Sequence, residues 1–243
     1  MIVPASMQVQ VTVNHGFSAL MVMSSVAARF FNPQLSGAGA NPVAPTGVFR
    51  IDHDEAFNMT AHLQYQVPWK HAPWIGFNRR YGSGLVAGQV PCYGIGPAND
   101  CPQSTFLNGP PAIAMVDSSG IPFTADQEFQ AGFTCNGVHA TPTTPISPDG
   151  LCPGNMYGSN LVKIPAPGTE DDDHNPPRVQ PRHLFDVAVG DDNLFNGDRY
   201  KWSLRFAVVN LTNKYALYNF LSTFSGTHYV TPRAMTATLA FHF

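Results

Sequence analysis

Apolar and polar residues alternate along several stretches of the chain, and a period of two is typical of β-strands with one buried face. The clearest stretch covers residues 57–67, where Phe57, Met59, Ala61, Leu63, Tyr65 and Val67 alternate with Asn58, Thr60, His62, Gln64 and Gln66. We predict seven strands, over residues 7–13, 17–31, 57–67, 74–85, 183–190, 200–208 and 234–243. No long amphipathic helix is predicted. The pattern indicates an all-β protein.

Short and long connections alternate between the predicted strands. The short ones cover residues 14–16, 68–73 and 191–199, and the long ones cover 32–56, 88–182 and 210–232. Strands of about ten residues cross a bilayer when tilted, and transmembrane barrels combine short periplasmic turns with long extracellular loops. We therefore expect an antiparallel up-and-down transmembrane β-barrel segment whose long connections are extracellular.

Aromatic residues support the same interpretation. Trp69, Trp74, Tyr200 and Trp202 lie beside short connections, where a membrane interface favours amphipathic rings. A secreted β-sandwich that binds carbohydrate or protein is the soluble alternative. It would place polar residues on the outer strand faces, whereas residues 200–208 carry a continuous apolar strip.

Composition excludes several other classes. Charged residues are only 12% of the chain and the net charge is −3, so no basic nucleic-acid-binding face is expected. No run of about 18 apolar residues predicts a membrane helix. Mean hydropathy is −0.09, which a barrel permits because its alternating strands average out. Residues 1–13 do not resemble a signal peptide.

Four cysteines, Cys92, Cys101, Cys135 and Cys152, lie within the longest connection. Their spacing fits no paired zinc motif. We expect disulfides, because a long exposed loop in an oxidising compartment favours them. Three pairings of the four cysteines are possible.

Two acidic clusters are candidate calcium ligands. One comprises Asp52, Asp54 and Glu55 with His53, and the other comprises residues 171–174. Neither has EF-hand spacing, and such clusters are more often solvated loop surfaces than cages of converging oxygens. We expect no metal site and no cofactor. HExxH, Walker and GxGxxG motifs are absent from the sequence, so no catalytic residue is assigned and no enzyme activity is expected.

Polar strand positions are the candidate substrate-contacting residues. They are Asn58, His62, Gln64, Lys201 and Arg205. In a barrel these side chains would line the lumen and contact a plug or a substrate. The alternative is simple solvation of the interior, because barrel lumens are generally polar.

The C-terminal residues carry a family resemblance. The segments 200–206 (YKWSLRF) and 209–214 (VNLTNK), the dipeptide Pro232-Arg233 and the ending Phe241-His242-Phe243 resemble the tail of a TonB-dependent receptor. Residues 49–54 and 74–81 are similar to large receptors of this family that carry an N-terminal carboxypeptidase-regulatory-like domain. The resemblance implies that Phe241 and Phe243 belong to the signal read by the barrel-assembly machinery.

The resemblance also implies a function. We expect residues 1–243 to be the C-terminal wall of a bacterial outer-membrane receptor for active uptake, in contact with outer-membrane lipid. Residues 88–182 and 210–232 would be its capture loops. The family closes 22 strands around a plug, whereas seven strands and no plug are predicted here. We therefore expect an incomplete barrel, a fragment whose coupling to TonB requires the missing plug. A passive porin and an adhesion-type barrel are the alternatives.

Overall fold

The computed structural model describes residues 2–13, 16–30, 49–88, 112–114, 123–146, 151–153, 157–165, 175–222 and 226–243. It contains seventeen strands and one helix within these ranges. They are β1 (Ile2–Val13), β2 (Phe17–Phe30), β3 (Phe49–Arg50), β4 (Asn58–Gln66), β5 (Pro73–Gly82), β6 (Ala112–Ala114), α1 (Ala125–Gln130), β7 (Phe133–Cys135), β8 (Val138–His139), β9 (Leu151–Pro153), β10 (Tyr157–Ser159), β11 (Val162–Lys163), β12 (Arg178–Val179), β13 (Arg182–Asp191), β14 (Lys201–Val209), β15 (Leu217–Ser222), β16 (Gly226–Tyr229) and β17 (Ala234–His242).

The seven predicted strands form one antiparallel sheet in the order β1-β2-β4-β5-β13-β14-β17, and β3 adds to β2. Neighbours in this order follow one another along the chain apart from short strands in the connections, so the topology is an up-and-down meander. The expectation of an all-β antiparallel fold is confirmed. In the described ranges β1 and β17 are the two edges and do not pair with each other. The described strands therefore form an open sheet rather than a closed barrel.

The connections at the two ends of the sheet differ in length. Antiparallel order places the three short connections at one end and the three long ones at the other. At the short end, the Asn193 amide donates to the His71 carbonyl at 3.2 Å and links neighbouring turns. The connection between β13 and β14 contains the pair Asn196-Gly197, and Asn196 has a left-handed φ of 59°, a conformation that Asn tolerates better than most residues.

Described parts of two long connections, 88–182 and 210–232, fold into a compact unit, which we call the cap: residues 123–146, 157–165, 175–180, 214–222 and 226–230. Its core consists of Phe123, Ala131, Phe133, Ala140, Ile146, Leu161, Val162, Val179, Leu217 and Phe220, with Ala87 from the sheet end. The Gly88 amide donates to the Phe220 carbonyl at 2.8 Å and links connection 88–182 to connection 210–232. The described part of 88–182 is thus a packed structure, whereas the sequence predicted a long exposed loop.

The cap contains the helix of the described chain. Thr124 accepts from the Gln127 amide, and the Gln127 side chain accepts from the Thr124 amide. This reciprocal capping box satisfies amides that the first helical turn leaves unpaired. No helix in the described ranges is long and apolar enough to cross a membrane.

Asn210 fixes the entry to the last strand. Its buried side-chain amide donates to the carbonyls of Lys214 and Thr231, and its side-chain oxygen accepts from the Lys214 amide at 2.8 Å. Asn213 accepts from the Arg233 amide at 3.1 Å. Both asparagines have positive φ, 50° and 49°. The Asn-Leu-Thr-Asn-Lys segment and the Pro-Arg dipeptide are therefore two halves of one hydrogen-bonded junction.

We predict that Asn210→Ala lowers the free energy of unfolding by about 2–4 kcal/mol, because it leaves buried backbone groups without partners and keeps a strained φ. Asn210→Gly removes the same hydrogen bonds but relaxes the backbone, so its loss should be smaller. The exposed Thr212→Ala is the control and should change stability by no more than about 0.5 kcal/mol. Urea titration in detergent micelles measures all three. Equal stability of Asn210→Ala and Thr212→Ala would contradict this assignment.

Candidate functional site

One side of the seven-stranded sheet is almost entirely apolar. Directly paired residues on neighbouring strands point to the same side, so the register defines this surface, which we call the apolar face. Its members are Met7, Val9 and Val11 in β1; Phe17, Ala19, Met21 and Met23 in β2; Met59, Ala61, Leu63 and Tyr65 in β4; Ile75, Phe77, Arg79 and Tyr81 in β5; His183, Phe185, Val187, Val189 and Asp191 in β13; Trp202, Leu204, Phe206 and Val208 in β14; and Met235, Ala237, Leu239 and Phe241 in β17.

The apolar face is exposed. Leu239 is 60% accessible, Ile75 is 50% and Phe206 is 43%. No second sheet in the described part of the chain pairs with or covers these strands. Water-soluble monomers rarely expose contiguous apolar surface across so many strands. Within the described ranges this face lacks the second sheet that a β-sandwich would pack against it.

The opposite side, which we call the polar face, carries all five predicted substrate-contacting residues. They are Asn58, His62 and Gln64 in β4 and Lys201 and Arg205 in β14. Strands β5 and β13 separate these two groups. The five residues share a surface, but the structure does not bring them into one cluster.

Hydrogen bonds between strands hold part of the polar face. The Ser24 hydroxyl donates to the Asn58 side-chain oxygen at 2.6 Å. His62 Nδ1 and Asn78 Oδ1 are 2.6 Å apart. These side chains are half-buried and fixed by their neighbours, which is the rigidity that a binding surface on strands requires.

Trp74 lies on the polar face, although its position beside a short turn predicted an interfacial aromatic ring. Its ring rests on Gly190, where a Cβ would lie 2.6 Å from ring atoms Cε2 and Cζ2. Its indole N–H donates to Asp192 Oδ1 at 3.0 Å, and the Arg205 guanidinium lies 5.8 Å from the ring centroid. The alternation of Trp74 with Ile75, which is on the apolar face, was the sequence signal for this placement.

Trp202 and the C-terminal aromatics lie on the apolar side. The Trp202 and Phe241 rings are 4.9 Å apart, and Tyr200 stacks on Phe241 at 5.9 Å. Phe243 stacks on Phe241 at 6.1 Å. This aromatic group marks the short-connection end of β14 and β17. The role of Phe241 and Phe243 in barrel assembly stays a prediction.

The first acidic cluster joins the sheet to the cap through arginines. Asp54 is fully buried and forms ion pairs with Arg50, at 3.1 Å, and with Arg178. Glu55 pairs with Arg182 at 3.1 Å. Arg178 and Arg182 lie far along the chain from these carboxylates, whereas Arg50 is four residues from Asp54. The pairs therefore fasten the end of β13 and the cap strand β12 to the segment before β4.

Asp52 completes this junction. Its carboxylate accepts from the Ser222 hydroxyl at 2.8 Å, and His53 Nδ1 lies 2.7 Å from its other oxygen. Among the described residues, no group of three or more His, Cys, Asp or Glu side chains is placed to hold a metal ion. The geometry favours structural ion pairing over calcium binding for residues 52–55. The second acidic cluster, residues 171–174, lies outside the described ranges.

Cys135, at the end of β7, is disulfide-bonded. It lies between the cap core and strand β10, with which β7 pairs. Cys92, Cys101 and the side chain of Cys152 lie outside the described residues.

Glu128 is a buried carboxyl group in the cap. Its side chain accepts from the Ile146 amide at 2.9 Å. Burial raises the pKa of Glu128 above its usual value of 4.5, and the hydrogen bond from Ile146 lowers it by a smaller amount. The cost of ionising Glu128 was not evident from the sequence, because it depends on the cap core that surrounds α1.

Comparison of this chain with protein-family models, curated proteins and solved structures finds no match.

We predict that Gly190→Ala destabilises the sheet by about 1–3 kcal/mol, because the new methyl group overlaps the Trp74 ring and the Leu204 carbonyl. Gly76→Ala is the matched control on the same face. Its Cβ would meet Trp74 Cζ3 at 3.7 Å, an ordinary contact, so a change below about 1 kcal/mol is expected. Urea unfolding in micelles, followed by the near-ultraviolet circular dichroism of the aromatic side chains, compares them. Similar losses for both variants would show that Trp74 does not depend on Gly190.

We predict that Glu128→Gln makes cap stability less dependent on pH. The folded pKa of Glu128 is raised, so the contribution of its protonated form is complete below about pH 4.5 and is lost as pH rises through the folded pKa. The substitution removes this pH-dependent loss of stability, because Gln does not ionise. Thermal unfolding of wild-type and variant chains between pH 4 and 8 measures the effect. Parallel curves over this range would rule out Glu128 as the titrating group.

Proposed function

We propose that this chain forms part of the wall of a bacterial outer-membrane β-barrel of the TonB-dependent receptor type. The apolar face would contact lipid, and the polar face would line the barrel interior. The single observation that carries this proposal is the continuous, exposed apolar face, which persists over all seven strands of the sheet.

The arrangement of the connections supports the same orientation. Short turns at one end and a folded cap at the other correspond to the periplasmic and extracellular ends of an outer-membrane barrel. The cap would then be the extracellular surface that meets a solute first. The ion pair between Asp54 and the cap residue Arg178 supports a fixed capture surface.

The open edges require a larger assembly. Strands β1 and β17 each have one neighbour in the described sheet, and a bilayer does not tolerate unpaired backbone groups facing hydrocarbon. The proposal therefore includes further strands that connect the two edges. This requirement agrees with the resemblance of residues 200–243 to the end of a much larger barrel.

In this proposal the complete protein takes up a bulky solute, with energy supplied through TonB and a plug domain. The polar-face residues His62, Gln64 and Arg205 would contact the plug or the passing solute. No catalytic role is proposed for the chain. The uptake role depends on the resemblance, whereas the lipid-facing orientation depends on the apolar face.

We predict that Met7→Arg costs about 2–4 kcal/mol of stability in lipid vesicles, because Met7 lies in the middle of β1 on the apolar face and would expose a charge to hydrocarbon. Gln8→Arg is the matched control, since Gln8 is the next residue and points to the polar face. Neither residue pairs with an ionisable side chain. The control should cost less than about 1 kcal/mol.

The experiment measures urea unfolding of the full chain in phospholipid vesicles and records whether detergent or lipid is needed to keep it folded. In a water-soluble protein both positions are exposed surface, and arginine at either should be nearly neutral. Equal, small effects in a chain that folds without lipid would contradict the proposal.

A further inference from the structure

Arg79 interrupts the apolar face. It lies in β5 between Phe77 and Tyr81, and its direct neighbours are Ala61 in β4 and Phe185 in β13. Three side chains on the described apolar face can carry a charge: Arg79, His183 and Asp191. The next residue, Arg80, points to the polar face, so Arg79 is the arginine of β5 that lies on the apolar face.

The Arg79 guanidinium stands without a partner among the residues that the structure describes. It makes no hydrogen bond or ion pair with the described residues, and its Nε is buried without an acceptor. Arg80, in contrast, forms an ion pair with Asp186 at 3.1 Å. Burying part of a charged group without compensation is costly. An unpaired arginine in this setting indicates an anionic partner from outside the described chain.

The position of Arg79 limits the kind of partner. Arg79 is three residues from Gly82, where β5 ends beside the long connections. His183 is its diagonal neighbour on β13, about 7–8 Å away between Cα atoms. Asp191, the acidic member of the apolar face, is at the opposite end of β13. The Arg79 guanidinium and the His183 imidazole therefore lie near one end of the face, with no acidic residue of the described face beside them.

Apolar side chains continue from this point towards the short connections. Phe77 and Phe185 stack at 5.9 Å, and Phe77 pairs directly with Leu63 in β4 and Val187 in β13. A cationic site followed by an apolar track matches a molecule with an anionic head and hydrocarbon tails. An arginine side chain can also extend along apolar surface to bring its charge towards a headgroup.

We propose that Arg79, assisted by His183, binds the phosphate of a phospholipid-type headgroup whose acyl chains lie along Phe77 and Phe185. The planar guanidinium can donate two hydrogen bonds to phosphate oxygens. This inference rests on the proposed function, because it requires the apolar face to meet lipid. It adds a defined lipid-binding site to that general contact.

The test uses the full chain in alkyl maltoside micelles, which contain no phosphate, titrated with phosphatidylglycerol. Lipid binding is followed by the rise in the thermal unfolding midpoint. The unfolding midpoint of the wild-type chain should rise with lipid concentration and then level off. Arg79→Gln should bind the lipid about fivefold more weakly, because one basic residue contributes about that factor at an anionic membrane surface. Arg79→Lys keeps the charge but loses the forked donors, so its affinity should fall between the two.

Arg80→Gln is the matched control, because it removes the adjacent arginine from the other face. Its lipid affinity should equal that of the wild type, even where its baseline stability is lower. Equal affinity of Arg79→Gln and wild type overturns the proposal. Inorganic phosphate in micelles that produces the same Arg79-dependent rise also overturns it, because the site would then bind a free anion.

The two proposals fail in different ways. A chain that takes up no lipid and folds without micelles contradicts the proposed function, and the headgroup site is lost with it. A chain that takes up phosphatidylglycerol equally with and without Arg79 leaves the lipid-facing wall in place and removes only the headgroup site.

Discussion

The structure depends on one register being kept across seven antiparallel strands. Side chains alternate between the two sides of each strand, so a shift of one residue in any pair would move an entire apolar set to the polar side. Apolar residues stay opposite apolar residues across the sheet, from Met7 opposite Met23 in the β1–β2 pair to Leu204 opposite Leu239 in the β14–β17 pair. The result is a sheet with two chemically different sides. In the proposed function the apolar side contacts lipid and the polar side lines the barrel interior.

The cap follows from the same topology. Because the three long connections leave the sheet at one end, residues distant in sequence meet there and form a separate apolar core. Phe133 and Phe220 are both fully buried in it. The junction with the sheet contains buried ion pairs, in which Asp54 contacts both Arg50 and the cap residue Arg178. Removing one partner of such a pair is costly, because it leaves an uncompensated buried charge.

The strands could be predicted from the sequence because a period of two is a local signal. Each of the seven predicted strands corresponds to a strand of the sheet, with ends that differ by a few residues. The cap could not be predicted in the same way, since its core joins Phe123 with Phe220 through contacts that no local pattern records. The position of Trp74 beside a turn predicted an interfacial ring, whereas its alternation with Ile75 places it on the polar face. Arg79 breaks that same alternation, and its lack of a partner is visible only in three dimensions.

The central claim is that one side of this sheet contacts hydrocarbon and the other does not. Trp202 lies on the apolar face and Trp74 on the polar face, so each can report on its own side. The direct measurement is fluorescence quenching by phospholipids with brominated acyl chains, using full-length variants that retain either Trp202 or Trp74 and carry Phe at the other tryptophan positions. The account predicts strong quenching of Trp202 and little quenching of Trp74. Equal quenching of the two, or none of either, would contradict it.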